Sequence, residues 1–146
     1  MKQIKFPHIF AVNIDELDSV RTDEGHIWGY EKWLVNDKEL DLCCKHLVIF
    51  PCFRSSKHNH DTKSEYFQIL SGELRLTLFK RGDMTTVDRV IEMSAGQQVL
   101  IPKRQYHYFE TATRQFVLLL EVSTFEDEKT NKAKPAQELV ECKPQE

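Results

Sequence analysis

No apolar run in this 146-residue chain approaches the roughly 20 residues that a membrane-spanning helix needs. A membrane is therefore not an expected partner. Nor is there a surplus of basic residues: Lys and Arg number 20 against 23 Asp and Glu, a formal net charge of −3. A nucleic-acid-binding face needs an excess of cations, so nucleic acid is not expected either. The first residues, Met1-Lys2-Gln3-Ile4-Lys5, lack the apolar stretch of a signal peptide, and a cytoplasmic location is the expectation. Cysteine is scarce, with four in all and no C-x-x-C pair. Cys43 and Cys44 are adjacent and would point to opposite faces of a strand, so reduced thiols are expected rather than a disulfide framework. There is no solenoid repeat and no Gly/Ser linker. Helical periodicity is nearly absent, and only residues 14–20 (IDELDSV) read as one short N-terminal helix.

What is present is a folded, β-rich composition. Hydrophobic residues make up 40% and charged residues 29%, enough for one domain with its own core. Short runs rich in β-branched, aromatic and leucine residues lie at 46–51, 65–70, 73–79, 97–101, 106–111 and 115–122. Turn-like sequence separates them, as at Asp61-Thr62-Lys63-Ser64, Ser71-Gly72, Arg81-Gly82-Asp83 and Ser94-Ala95-Gly96. Leu74, Leu76 and Leu78 alternate with Arg75, Thr77 and Phe79, the pattern of a strand with one buried face. Several short strands at close spacing predict an all-β sandwich or barrel. After Phe125 the composition turns polar and charged. The chain thus reads as a single domain over 1–125 and a polar C-terminal tail over 126–146, with a flexible tail favoured over an ordered strap.

The informative stretch is Lys57-His58-Asn59-His60-Asp61-Thr62-Lys63-Ser64-Glu65. On a strand His58 and His60 share a face and two imidazoles there can hold one metal ion. An H-x-H pair by itself is also what two surface histidines look like. Glu65 lies beyond a turn-forming segment and would enter from the next strand. His107 sits on a later run, after Pro102.

The full spacing is His58-x-His60-x4-Glu65-x6-Gly72, then Gly96-x5-Pro102-x4-His107. It resembles the two signature motifs of the cupin superfamily over roughly residues 27–125. The resemblance implies a double-stranded β-helix, the cupin jelly-roll barrel, with metal ligation by His58, His60, Glu65 and His107. Three imidazoles and one carboxylate suit a divalent ion such as Mn, Zn or Fe. It also implies a homodimer, an arrangement common among cupins. Two positions depart from the family pattern. Cys52 stands where the first motif usually opens with glycine, and Arg104 where the second usually has glycine after the proline. Those glycines serve turns of positive φ. Thr111 replaces the asparagine that often closes the second motif. Lys103-Arg104 reads as a solvated basic turn or as a clamp for an anionic group.

Three further features resemble cupin sugar isomerases, in particular the D-lyxose isomerase group and small cupins related to mannose-6-phosphate isomerase. They are Lys63 within the first motif, Glu121 with Asp127 in the Glu-Val-Ser-Thr stretch, and Trp28-Gly29-Tyr30-Glu31. The resemblance makes Lys63, Glu121 and Asp127 candidate catalytic residues for aldose–ketose isomerisation of a sugar or sugar phosphate through an enediol. Such a reaction needs a base for a weakly acidic C–H, positive charge for a developing oxyanion, and a proton donor. Each residue also has an ordinary reading: a turn lysine, a strand-end glutamate, and core tryptophan. Trp28, Tyr106 and Tyr108 could wall a sugar face or simply pack. A cupin dioxygenase with a redox metal and a non-catalytic sugar-binding cupin are the alternatives.

Overall fold

A computed structural model describes residues 21–127. It contains nine strands: β1 (Arg21–His26), β2 (Gly29–Asp37), β3 (Leu42–Ile49), β4 (Glu65–Ser71), β5 (Glu73–Phe79), β6 (Val87–Ser94), β7 (Gln98–Ile101), β8 (His107–Thr111) and β9 (Val117–Ser123). A six-stranded sheet has the order β1-β2-β3-β9-β4-β7, and a three-stranded sheet the order β6-β5-β8. All pairings are antiparallel, and the two sheets form a jelly-roll barrel. The all-β expectation holds. The helix expected over 14–20 lies outside the described residues, and no helix occurs among those described. None is therefore long and apolar enough to cross a membrane.

Period-2 alternation builds the central strands. In β3 and β9 burial alternates strictly. Their inward residues grade from apolar at one end of the barrel to polar at the other. Along β9 these are Val117, Leu119, Glu121 and Ser123, and along β3, read backwards, Ile49, Leu47, Lys45 and Cys43. On β4 they are Ile69, Phe67 and Glu65. Register aligns these gradients. Cys43, Ser123, Glu65 and Ile101 form one cross-strand row, and Trp33, Lys45, Glu121 and Phe67 the next. The apolar end meets Leu74, Leu76 and Phe109 of the facing sheet and forms the core. The polar end is where the candidate ligands sit. Trp28 belongs to the core, edge-on to Phe109 with ring centroids 5.0 Å apart, so packing is its role in this structure.

The turns explain the two departures from the family's glycines. Cys52 has φ of 72° and Arg104 of 63°, both in the left-handed region. The turn geometry is kept without glycine. The Arg104 N–H donates to the His60 carbonyl at 2.8 Å, which ties this turn to the ligand-bearing segment. Gly72 is different: at φ of 83° a Cβ there would collide with the Phe116 carbonyl oxygen. Side chains in the left-handed region cost about 1–2 kcal/mol, partly offset by the unfolded-state freedom that glycine adds, about 0.4–1 kcal/mol. Arg104 is exposed, so Arg104→Gly is expected to stabilise the fold by about 0.5–1 kcal/mol, read as a raised urea midpoint at unchanged m. Among the described cysteines, Cys43 and Cys44 are free thiols.

Candidate metal centre

Residues 54–58 run alongside β8. His58 and His107 exchange both backbone hydrogen bonds, at 3.0 and 2.9 Å, and Ser55 pairs with Phe109 in the same way on one side. A cross-strand pair places its two side chains side by side on one face, and the His58 and His107 rings lie 4.4 Å apart. Strand parity brings His60 onto the same face, its ring 5.2 Å from that of His58. Glu65 opens β4 and points inward from the opposite sheet, 3% exposed. One donor atom from each of His58, His60 and Glu65 lies within 4.8 Å of the others. His107 completes the group from the Glu65 side: its Nε2 is 3.2 Å from Glu65 Oε2, although its ring is 6.4 Å from that of His60.

The donor set fits a divalent cation on three grounds. The first is tautomer. His58 Nδ1 lies 2.8 Å from the Ser56 carbonyl and His107 Nδ1 lies 2.8 Å from the Gln105 carbonyl. A carbonyl only accepts, so these contacts assign the proton to Nδ1 and leave an Nε2 lone pair facing the centre. Second, the Nε2 of His107 and the Oε2 of Glu65 are buried without a satisfied hydrogen bond. Two lone-pair atoms face each other there, an arrangement that a cation between them would resolve. Third, burial pushes the His58 imidazole down to about 3, with His107 adding to the shift, so His58 is neutral at physiological pH, the form in which an imidazole can bind a cation.

Behind Glu65 lies a second buried cluster. Lys63 Nζ is 2.9 Å from Glu65 Oε1, 2.7 Å from Glu121 Oε1 and 3.5 Å from Glu126 Oε1. Lys45 Nζ forms a close ion pair with Glu126 and stands 3.7 Å from both Glu121 and Glu31. Burial alone would push the Glu65 carboxyl up; the Lys63 ammonium and neighbouring histidines instead hold it well below the usual carboxylate range. Burial would likewise lower Lys63, yet Glu121 and Glu65 keep it well above the ordinary lysine value. Four carboxylates (Glu31, Glu65, Glu121, Glu126) against two ammonium groups (Lys45, Lys63) leave two negative charges, the complement of one divalent ion. Cys43 takes no part as a thiolate, because burial pushes its thiol up to about 12.

Lys63 and Glu121 are thus brought together with the candidate ligands. Asp127 is not: it is exposed, and its neighbour Glu126 supplies the buried carboxylate. Strand parity carried on from Glu121 would turn residue 127 inward, but β9 ends at Ser123. Beyond it the Asn36 side chain clamps the Glu126 backbone through two 3.0 Å hydrogen bonds, and residue 126 turns in instead. Glu126 is thereby packed against this cluster, 6% exposed. Sequence reasoning also missed Lys45 and Glu31. Parity with Leu47 and Ile49 was the available signal for Lys45.

Fold and donor set together define a small metal-binding jelly-roll barrel. The cupin domain family matches residues 48–123, more than half of the chain, and the chain belongs to that family. No curated protein matches it. Among solved structures it is similar to oxalate decarboxylase of Bacillus subtilis, an enzyme with Mn(II) centres, at 18% identity and a TM-score of 0.59 over 79% of this chain and 29% of that one. It is also similar to the formate complex of Lactobacillus farciminis oxalate decarboxylase, at 16% identity and a TM-score of 0.61 over 83% of this chain and 33% of that one. The chain spans about a third of the length of these enzymes, and the likeness is one of fold.

Proposed function

We propose that this cupin is a metal-dependent aldose–ketose isomerase acting on a sugar or sugar phosphate, with His58, His60, Glu65 and His107 as the metal ligands. The observation that carries the reading is the buried Lys63–Glu121 pair, hydrogen-bonded at 2.7 Å, with the same ammonium 2.9 Å from ligand Glu65. A carboxylate and an ammonium held together beside the candidate centre are suited to be the base and the charge that an enediol reaction requires. Glu121 takes the proton from the carbon next to the carbonyl and returns it to the adjacent carbon. Lys63 keeps its proton and offers positive charge and a hydrogen bond to the substrate oxygen on which negative charge develops, while the hydroxyl proton of the neighbouring carbon passes across to that oxygen, so that both transfers balance. Burial keeps both groups from being levelled by water. A divalent ion supplies further Lewis-acid charge toward a substrate oxygen when bound.

The same ligand types also serve decarboxylation and dioxygen chemistry, so the test must separate them. Elemental analysis of the native protein is coupled to a screen of aldopentoses, aldohexoses and their phosphates in deuterated water. The same preparation is assayed for oxygen uptake and for carbon dioxide release from oxalate. The expected result is oxygen-independent conversion of one aldose to its ketose, with solvent deuterium incorporated at C1 of the ketose. Substrate-dependent oxygen uptake or carbon dioxide release without isomerisation would overturn the reading. So would binding of sugars by metal-loaded protein without any turnover.

A further inference from the structure

Lys45 is an uncommon residue for its place. It is 2% exposed, on an inward-facing position of a central strand whose neighbours on the same face are Cys43 and Leu47. Lys is almost never fully buried unless paired. Its ammonium is bound by Glu126, stands 3.7 Å from Glu121 and from Glu31, and lies 4.0 Å over the Trp33 ring. None of these partners is a candidate metal ligand. A buried ion pair is often no more stabilising than apolar residues of the same volume, so stability alone does not account for a lysine here. Glu121 lies between two ammonium groups, Lys63 on the ligand side at 2.7 Å and Lys45 on the far side at 3.7 Å. Lys63 is shared with Glu65 and Glu126. Lys45 is directly across the β3–β9 ladder from Glu121 and reaches no ligand.

We infer that Lys45 is a positioning residue for Glu121, the fixed cation that orients this carboxylate toward the centre and sets how readily it accepts a proton, with Glu126 as the anchor that holds Lys45 in place. The inference rests on the isomerase reading in giving Glu121 the role of base. The charged and titratable groups around Glu121 are Lys45, Cys43 and Cys44 on β3, Lys63 and Glu65 at the start of β4, Glu31 on β2, and Glu126 after β9. Lys45 can act as a fixed charge because it does not titrate in the working range: burial opposes its charge, but Glu121 and Glu31 hold it above the ordinary lysine value. Removing one cation within about 4–6 Å of a carboxylate raises the pH at which it protonates, by about one to two pH units.

The test uses the full-length, zinc-loaded protein with 13C-labelled glutamate, and follows the Glu121 side-chain carboxyl by NMR as a function of pH. In Lys45→Met the Glu121 midpoint is expected to rise by about one to two pH units, and in Lys45→Arg to return close to that of the unaltered protein. The acid limb of the kcat profile should move by the same amount while KM stays within about twofold, since Lys45 sets basicity and not substrate contact. An unmoved Glu121 midpoint in folded Lys45→Met overturns the inference. Should that variant fail to fold, Lys45→Gln supplies the second arm: an uncharged side chain that can still hydrogen-bond the carboxylates around it should likewise raise the Glu121 midpoint, and no change there is equally fatal. Absence of isomerase turnover in the unaltered protein would sink the functional reading alone, because the NMR titration decides the role of Lys45 without turnover.

Discussion

Glu121→Gln is expected to lower kcat by about 10²–10⁴-fold, the usual contribution of a positioned general base, while leaving metal content and the far-UV spectrum unchanged. The amide has the same shape as the carboxylate and can still accept the Lys63 hydrogen bond through its oxygen. It cannot take a proton from carbon. Because Glu121 does not reach the ligand cluster except through Lys63, the ions bound per chain should not change. The loss should fall on kcat, with KM moving little, because the base is needed in the transition state more than in the bound substrate. The measurements are initial rates across a range of substrate concentrations and elemental analysis of the same preparation. Activity retained within about threefold would remove Glu121 as the base.

Part of the candidate cluster was legible in the sequence for local reasons. His58 and His60 share a face by strand parity, and the segment between His60 and Glu65 turns the chain. The juxtaposition of His58 with His107 was not readable from parity. It depends on an isolated bridge between a loop and β8, and spacing carried it only through family resemblance. Strands β3, β4, β5, β7, β8 and β9 correspond to the expected apolar runs within a few residues, because each has at least one buried face. The missed strands have a different physics. β6 is exposed at Val87, Asp88, Arg89 and Val90, so it carries no alternation to detect. β2 pairs with β3 through a bulge between Trp33 and Val35, which resets its parity midway. The buried charges Lys45, Glu31 and Glu126 were the least legible. A charged side chain is assigned to solvent by default, and only pairing across three strands reverses that. Glu126 further depends on Asn36, 90 residues away, turning its backbone inward.

Lys63→Met is expected to destabilise the metal-free protein by about 3–5 kcal/mol, the usual cost of removing one partner from a buried ion pair. Methionine matches the length and volume of the lysine stem, so the loss is not one of packing. What is lost is the cation between Glu65, Glu121 and Glu126, three carboxylates buried to 3%, 2% and 6% exposure. The pH dependence identifies this cause. Glu65 is held below its ordinary value of 4.5, so its contribution is complete above that pH and is lost as pH falls further. Lys63 is held above its ordinary value of 10.5, so its contribution is complete below that pH and is lost as pH rises beyond it. Their pairing therefore contributes a plateau of stability between those two limits. In Lys63→Met the carboxylates lose their cation and protonate at higher pH, which relieves their repulsion. The deficit relative to the unaltered protein should be greatest near neutral pH and should shrink below about pH 5 as the carboxylates become neutral. Urea unfolding of both proteins at pH 7 and at pH 4.5 measures it. A second neutralisation, Lys63→Met with Glu121→Gln, should recover part of the loss at pH 7, since one fewer unpaired charge remains, and the double-mutant cycle gives the coupling directly. A deficit of equal size at both pH values would mean that Lys63 matters through its packing, and the electrostatic account of the cluster behind Glu65 would fail.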